Sequence, residues 1–179
     1  MRCFVAIDLP PELKDGLAAL RSPLEGARWL PPEQLHLTLA FPGEIDSSTE
    51  QAVATALSAI SQPPFTLTFE RVGCFPHPRA PRVLWAGLRD SPELARLAAA
   101  VRQAVLSCGV VLEERAFAPH ITLARLKEPR PEQVGQYLAR WKTLALPPLA
   151  VTRFVLYESR LTSQGAVHSP RTVVTLCLS

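Results

Sequence analysis

The sequence predicts an α+β protein built from two similar halves, on three observations. Segments that alternate apolar and polar residues, as half-buried strands do, are interleaved with segments whose apolar residues recur every three or four positions, as in helices. Many links between the strands are too short for a crossover helix, which favours mixed or antiparallel pairing over an all-parallel sheet. One pentapeptide also occurs twice. His36-Leu37-Thr38-Leu39-Ala40 and His120-Ile121-Thr122-Leu123-Ala124 differ only in Leu against Ile, and a similar order of elements surrounds each copy, as an internal duplication leaves.

The elements follow in order. Residues 2–8 read as a strand. Pro11 opens a helix with Leu13, Leu17 and Leu20 at helical spacing. Residues 35–41 alternate as a strand and end at Pro42-Gly43. Residues 48–60 are helical, with Val53, Leu57 and Ile60 on one side. Two strands follow, Phe65 to Phe69 and Val83 to Leu88. In the second half Ser91 caps a helix, with Pro92 in its first position and Glu93 in its first turn. That helix carries Leu94, Leu97, Val101 and Val105 and stops near Cys108-Gly109. A strand over 120–126, a helix over 131–141 and strands from Val151 to Tyr157 and Thr172 to Leu178 complete the chain.

A chain of 179 residues suits one domain of two closely packed lobes, residues 1–179, with one motif strand in each, 36–39 and 120–123. No apolar run approaches the roughly 20 residues that a membrane helix needs. The apolar stretch after Arg2 is too short for a signal peptide and meets Asp8 early, so a cytoplasmic protein is expected. Cys3, Cys74, Cys108 and Cys177 are scattered without a C-x-x-C pair, which argues against a zinc or redox motif. The formal charge of +3 is mild. Of the basic residues only Lys14, Lys127 and Lys142 are lysine. Arginine suits bidentate phosphate recognition, though a genome-wide base bias yields the same skew.

On a strand, side chains alternate faces, so His36 shares a face with Thr38, and His120 with Thr122. Leu37, Leu39, Ile121 and Leu123 point the other way, into a core. Two lobes facing each other bring both His/Thr pairs to one cleft. Such a pair suits phosphodiester chemistry. One imidazole takes a proton from water and the other gives one to the departing oxygen, each role contributing roughly 10²–10⁴-fold in rate. Two groups with ordinary pKa near ~6.5 can hold opposite protonation states near neutrality. The threonine hydroxyls can hydrogen-bond the non-bridging phosphate oxygens. The scheme needs no metal or other cofactor. A single His-x-Thr is more simply a half-buried strand histidine; two near-identical copies in corresponding strands, in a chain with four histidines, favour the chemical reading.

With their flanks, these motifs resemble the two H-x-T-x motifs of the 2H phosphoesterase superfamily. Within it the chain is similar to the bacterial and archaeal RNA 2′,3′-cyclic phosphodiesterases, also called 2′-5′ RNA ligases or LigT-like proteins. The resemblance runs through Phe4-Val5-Ala6-Ile7 and through Trp29 with Pro32-Glu33-Gln34-Leu35 before the first motif and Phe41-Pro42-Gly43 after it. It continues in Pro119 to Arg125 and in Leu156-Tyr157-Glu158-Ser159 with Leu161 and Gly165. It implies a bilobal α+β fold of mostly antiparallel sheet around a central cleft. It implies hydrolysis of an RNA terminal 2′,3′-cyclic phosphate, tRNA-derived or oligonucleotide, to a 2′-phosphomonoester, with 2′-5′ ligation as a side activity. By the same resemblance His36 is the proton donor, His120 the proton acceptor, and Arg125 a substrate-binding residue. Strict alternation puts Arg125 on the face opposite His120, so that role requires a bulge or a strand end.

Two departures from the family pattern stand out. His168 occupies the place of a tyrosine three residues after Gly165 and reads as a surface loop residue. Phe-Pro-Gly replaces the commoner Phe-Leu-Gly after the first motif. His77 lies in a Pro-rich, Arg-flanked segment that reads as an exposed turn, or as an RNA backbone contact at the cleft rim. Trp29 and Phe41 read as core aromatics, with base stacking as the alternative. Thr66-Leu67-Thr68 is plain strand. Competing functions are a cyclic nucleotide-sugar phosphate or a 2′-5′ oligonucleotide as substrate, a non-catalytic RNA-binding module, and a metalloenzyme. Binding alone needs no paired acid and base, and one ligand per motif falls short of the three that catalytic zinc takes. A monomer is expected, since the two lobes cover one another's apolar faces.

Overall fold

A computed structural model describes residues 1–178. In chain order the elements are β1 (Arg2–Asp8), α1 (Pro11–Ala18), β2 (Ala27–Trp29), a 3₁₀ turn (Pro32–Gln34), β3 (His36–Glu44), α2 (Ser47–Ser58), β4 (Phe65–Leu67), β5 (Phe69–His77), β6 (Ala80–Leu88), α3 (Pro92–Ser107), β7 (His120–Leu126), α4 (Pro131–Arg140), β8 (Leu149–Val151), β9 (Arg153–Thr162) and β10 (Gly165–Thr175). The strands form two four-stranded sheets, β10-β9-β1-β3 and β2-β7-β6-β5, and a small pair, β4-β8. Every paired strand is antiparallel. The fold is therefore the expected α+β, with one four-stranded sheet in each lobe. β3 lies at the edge of the first sheet and packs against β7 of the second.

Local chemistry accounts for the helix starts. The Asp46 carboxylate accepts from the Thr49 N–H at 2.8 Å and caps α2, and the Ser91 hydroxyl accepts from the Leu94 N–H at 3.1 Å and caps α3. Pro11, Pro92 and Pro131 occupy first-turn positions, where no N–H is needed. α3 ends at Gly109, whose φ of 78° a glycine adopts without strain. Helix α3 buries Leu94, Leu97, Val101 and Val105 and packs against both α2 and β3, so helices from the two halves meet over the first motif strand. Leu37, Leu39, Ile121 and Leu123 all point into the core.

Three segments extend beyond expectation. β3 continues through Pro42 and Gly43 to Glu44, and β10 begins at Gly165 rather than Thr172. The Pro-rich segment 76–82 is the tip of a β5–β6 hairpin. One reason serves all three. Proline cannot donate to a ladder, but β3, β5 and β10 are edge strands and Pro81 lies at the outer end of β6, beyond its pairing with β7. Behind β1, Arg171 of β10 approaches Glu50 of α2 at 3.5 Å and Glu158 of β9 at 3.9 Å, and Arg160 holds Glu158 at 3.0 Å, so these two buried carboxylates are paired with arginines. No helix among the described residues is long and apolar enough to cross a membrane.

Candidate active site

The two motif strands deliver their histidines in the same way. His36 Nδ1 lies 2.7 Å from the Gln34 carbonyl oxygen, and His120 Nδ1 lies 2.7 Å from the Ala118 carbonyl oxygen. A carbonyl only accepts, so in each neutral ring Nδ1 carries the hydrogen and Nε2 keeps its lone pair for other partners. In both cases the partner sits two residues upstream, so the tether is built by the strand entry itself. Gln34 does more. Its side-chain Nε2 donates to the Ala166 carbonyl at 3.0 Å and ties the turn before His36 to β10.

Both motifs also carry a bulge at the same place. In β3, Thr38 pairs with Ala6 and Ala40 with Val5, so Leu39 is the extra residue. In β7, Thr122 pairs with Trp85 and Ala124 with Leu84, so Leu123 is the extra residue. A bulge of one residue reverses the alternation beyond it. Ala124 therefore turns into the core with Leu84, both fully buried, and Arg125 joins the other face, opposite Val83. This is the face of Thr122, so the bulge that the Arg125 role requires is present. Arg28 of β2 pairs directly with Arg125 and adds a second guanidinium to this rim.

The surroundings of the two imidazoles differ. The His36 ring lies 4.7 Å from the Phe4 ring and 5.4 Å, edge-on, from the His168 ring. Phe4 stacks at 5.2 Å on Tyr157 and meets His168 edge-on at 4.8 Å. Burial in this cage pushes the His36 pKa down to about 4, and His168 and Lys14 push the same way. The Gln34 carbonyl and Asp8 oppose the shift without cancelling it. Lys14 and Asp8 themselves form an ion pair at 2.9 Å. His36 is thus neutral at pH 7 in the free protein. On the other side, the His120 tether is solvent-exposed, and among the described residues its ring has one aromatic neighbour, Phe75, edge-on at 4.9 Å.

Several expectations are corrected here. His168 is not a surface loop residue: it sits within β10, opposite Ser159, half-buried against Phe4 and His36. Its Nδ1 is shielded without a hydrogen-bond partner among the described residues, and burial lowers its pKa. The β9–β10 hairpin was legible only in part, because Pro170 masks the strand pattern. Phe41 is not a core residue. The register slips again between Ala40 and Gly43, and Phe41 is 48% exposed with the Arg2 guanidinium 5.1 Å above its ring. Trp29 does pack against the core, edge-on to Tyr137 at 5.6 Å. His77 is exposed at the hairpin tip and its Nδ1 accepts from the Arg79 N–H at 3.1 Å. Phe75 and Trp85 escaped the sequence reading, and Phe4 and Gln34, quoted there with the motif flanks, were given no role at the site. The signals for Gln34 were its place two residues before the motif histidine and within the flank that carries the resemblance. Among the described residues, no three His, Cys, Asp or Glu side chains cluster as metal ligands.

A bilobal α+β fold with one His-x-Thr strand in each lobe defines a 2H phosphoesterase. Comparison with known proteins narrows this class. The family model of the 2′-5′ RNA ligase superfamily matches residues 9–162, and the chain belongs to that family. It is 32% identical over 171 residues to an RNA 2′,3′-cyclic phosphodiesterase of Archaeoglobus fulgidus, covering 94% of this chain and 96% of the relative. It is 34% identical over 179 residues to the enzyme of that name from Escherichia coli K12, covering 94% and 93%. Among solved structures, E. coli LigT complexed with 3′-AMP superposes with a TM-score of 0.78 at 32% identity, over 98% of this chain and 96% of the other.

Proposed function

We propose that this protein, folded as one domain over residues 1–179, opens the 2′,3′-cyclic phosphate at an RNA 3′ end to give a 2′-phosphomonoester, without a metal. The observation that carries this reading is the matched tether: two imidazoles on corresponding motif strands of the two sheets, each holding Nδ1–H on a carbonyl and leaving Nε2 for proton transfer. Binding alone gives no reason for such a pair. The named relatives act on this substrate class by their names.

In the step proposed, a water oxygen attacks phosphorus while His120 takes the water's proton. The P–O3′ bond breaks as His36 gives its proton to O3′, leaving a 3′-hydroxyl and a 2′-phosphate. Thr38 and Thr122 donate hydrogen bonds to the non-bridging oxygens, which gain charge during attack, and Arg125 adds positive charge at the rim. His36 is neutral in the free protein, so the donor role requires the bound phosphate anion to raise its proton affinity. The depressed His36 pKa favours a second reading in which His36 is the acceptor and His120 the donor. The same groups run backwards join a 2′-5′ linkage. Each lobe supplies one histidine, so a monomer suffices, and RNA ends in the cytoplasm are the partners this chemistry requires.

The test incubates the protein, with EDTA, with a short RNA ending in a 2′,3′-cyclic phosphate, beside His36→Ala and His120→Ala. The product is read by mass and by resistance to enzymes that remove only 3′-phosphates. A 2′-phosphate from the wild type and none from either variant supports the reading. A ring left closed by a wild type that still binds the RNA overturns it and makes cyclic nucleotide-sugar phosphates the next substrate to try.

A further inference from the structure

The two histidine tethers differ in what stands behind the accepting carbonyl. In the second lobe that carbonyl belongs to Ala118, in the irregular stretch between α3 and β7, and a methyl group can make no hydrogen bond of its own. In the first lobe it belongs to Gln34, in the short 3₁₀ turn before β3. Pro31 and Pro32 stiffen that turn. The Gln34 N–H donates to the Pro31 carbonyl at 2.9 Å, and the Leu35 N–H to the Pro32 carbonyl at 3.1 Å. These bonds fix the shape of the turn, not its place against the sheet. Two side chains fix the place. Leu35 is buried in the core, and Gln34 Nε2 donates to the Ala166 carbonyl of β10, 132 positions away, at 3.0 Å. The amide lies against Gly165, whose φ is 120°, and a Cβ there would stand 3.3 Å from Nε2. The Thr162 hydroxyl donates to the Gly165 carbonyl at 2.7 Å and holds this end of the hairpin in shape. Two residues beyond Ala166, His168 meets the His36 ring edge-on at 5.4 Å. One glutamine thus reaches His36 from two sides, through its own carbonyl on Nδ1 and through the strand that packs His168 against the ring.

We propose that Gln34 is the positioning residue of His36: its bond to Ala166 fixes the carbonyl that keeps the hydrogen on Nδ1 and so leaves Nε2 as the nitrogen that exchanges a proton with the substrate. The partner of one ring nitrogen sets what the other carries. Both assignments of acid and base need this. An acceptor must present a lone pair at Nε2 and a donor must present its proton there, each with Nδ1–H on a carbonyl. A support that fixes a reacting side chain from behind acts on its placement, which the rate of the chemical step feels more than binding does. The kinetic consequence rests on the phosphodiesterase reading; the effect on the imidazole does not.

Gln34→Met keeps the length of the side chain and removes the donor. Labelling the four histidines with ¹⁵N reports the tautomer of each ring, read at pH 8, where an imidazole of ordinary pKa is neutral. In the wild type His36 and His120 are expected as Nδ1–H. In Gln34→Met, His36 is expected as a mixture with Nε2–H, and His120 unchanged. On a short RNA ending in a 2′,3′-cyclic phosphate, kcat is expected to fall about tenfold with KM within about twofold. A His36 tautomer that stays as it was, whatever happens to the melting temperature, means that the bond only fastens the hairpin and overturns the proposal. A shift shared by His120, or a shift confined to His36 with undiminished kcat, overturns it as well. Should Gln34→Met not fold, Gln34→Asn takes its place, since its amide is one methylene short of Ala166, and the same outcomes decide. If the wild type leaves the ring closed, the phosphodiesterase reading fails instead. The tautomers then decide alone: a shift confined to His36 supports the proposal, and none overturns it.

Discussion

His36 and His120 are held by the same device and surrounded by different ones. Each ring gives its Nδ1 hydrogen to the carbonyl two residues before it, and each strand bulges one residue after its threonine. Around His36 stand Phe4 and His168, with Tyr157 stacked on Phe4 behind them, and burial there holds the His36 pKa near 4. Half-buried His120 meets one edge-on phenyl ring among the described residues, with Trp85 and arginines spread over the adjoining sheet. The duplicated part of each lobe is what positions and orients an imidazole. The parts that differ bury His36 and lower its pKa, and on the proposed reading they decide which part of the substrate each ring meets.

The largest test of this contrast separates the acid from the base. A substrate whose 3′ oxygen is replaced by sulfur leaves without a proton. The variant lacking the acid should therefore recover on it most of the roughly 10²–10⁴-fold that general acid catalysis supplies, and the variant lacking the base should not. Recovery by His36→Ala supports the donor assignment, and recovery by His120→Ala reverses it. A somewhat smaller effect concerns the threonines. If Thr38 and Thr122 grip one anion symmetrically, Thr38→Val and Thr122→Val each lower kcat by about 10²-fold. Unequal losses would show that the pseudo-symmetry stops at the histidines.

Stability offers a third measurement. The folded His36 pKa is depressed below its ordinary value of 6.5, so the unfolded chain binds this proton first as pH falls. Above pH 6.5 the site carries no penalty. Between pH 6.5 and about 4 folding stability drops, by up to about 3 kcal/mol from this group. Denaturant melts over that range should show the drop in wild type and a smaller one in His36→Phe; identical slopes would mean that His36 is not caged. The smallest effect is expected for His168→Ala. His168 from β10, Phe4 and Asp8 from β1 and Lys14 from α1 face His36, and removing the His168 ring admits water. The limb of kcat/KM set by free His36, the alkaline limb if His36 is the donor and the acid limb if it is the acceptor, should move up from about pH 4. An unmoved limb would leave Phe4 as the main source of the depression.

The fold was legible where local pattern sufficed. Alternation gave the motif strands and the shared face of each His/Thr pair, and Ser91, Pro92 and Gly109 bracketed α3. It was misread where proline or a bulge interrupts the pattern. Pro76, Pro81 and Pro170 read as loop, because a sequence does not say that a strand lies at an edge or beyond its partner's end. Arg125 has the parity of a residue facing away from the site. Only pairing with β6 reveals that Leu123 is the extra residue and that parity changes after it.

By itself, then, the sequence determined the α+β class, the duplicated motif, the two histidines and the threonines that share their faces. These depend on a two-residue period and on spacing along the chain, which are local properties. The tertiary structure alone decided that His168 stands against His36, that Phe4 cages them, that Arg125 turns to the motif face and that Trp85 lies down across two glycines. Each of these joins residues far apart in sequence, and burial, strand register and pKa all depend on which distant strands lie side by side.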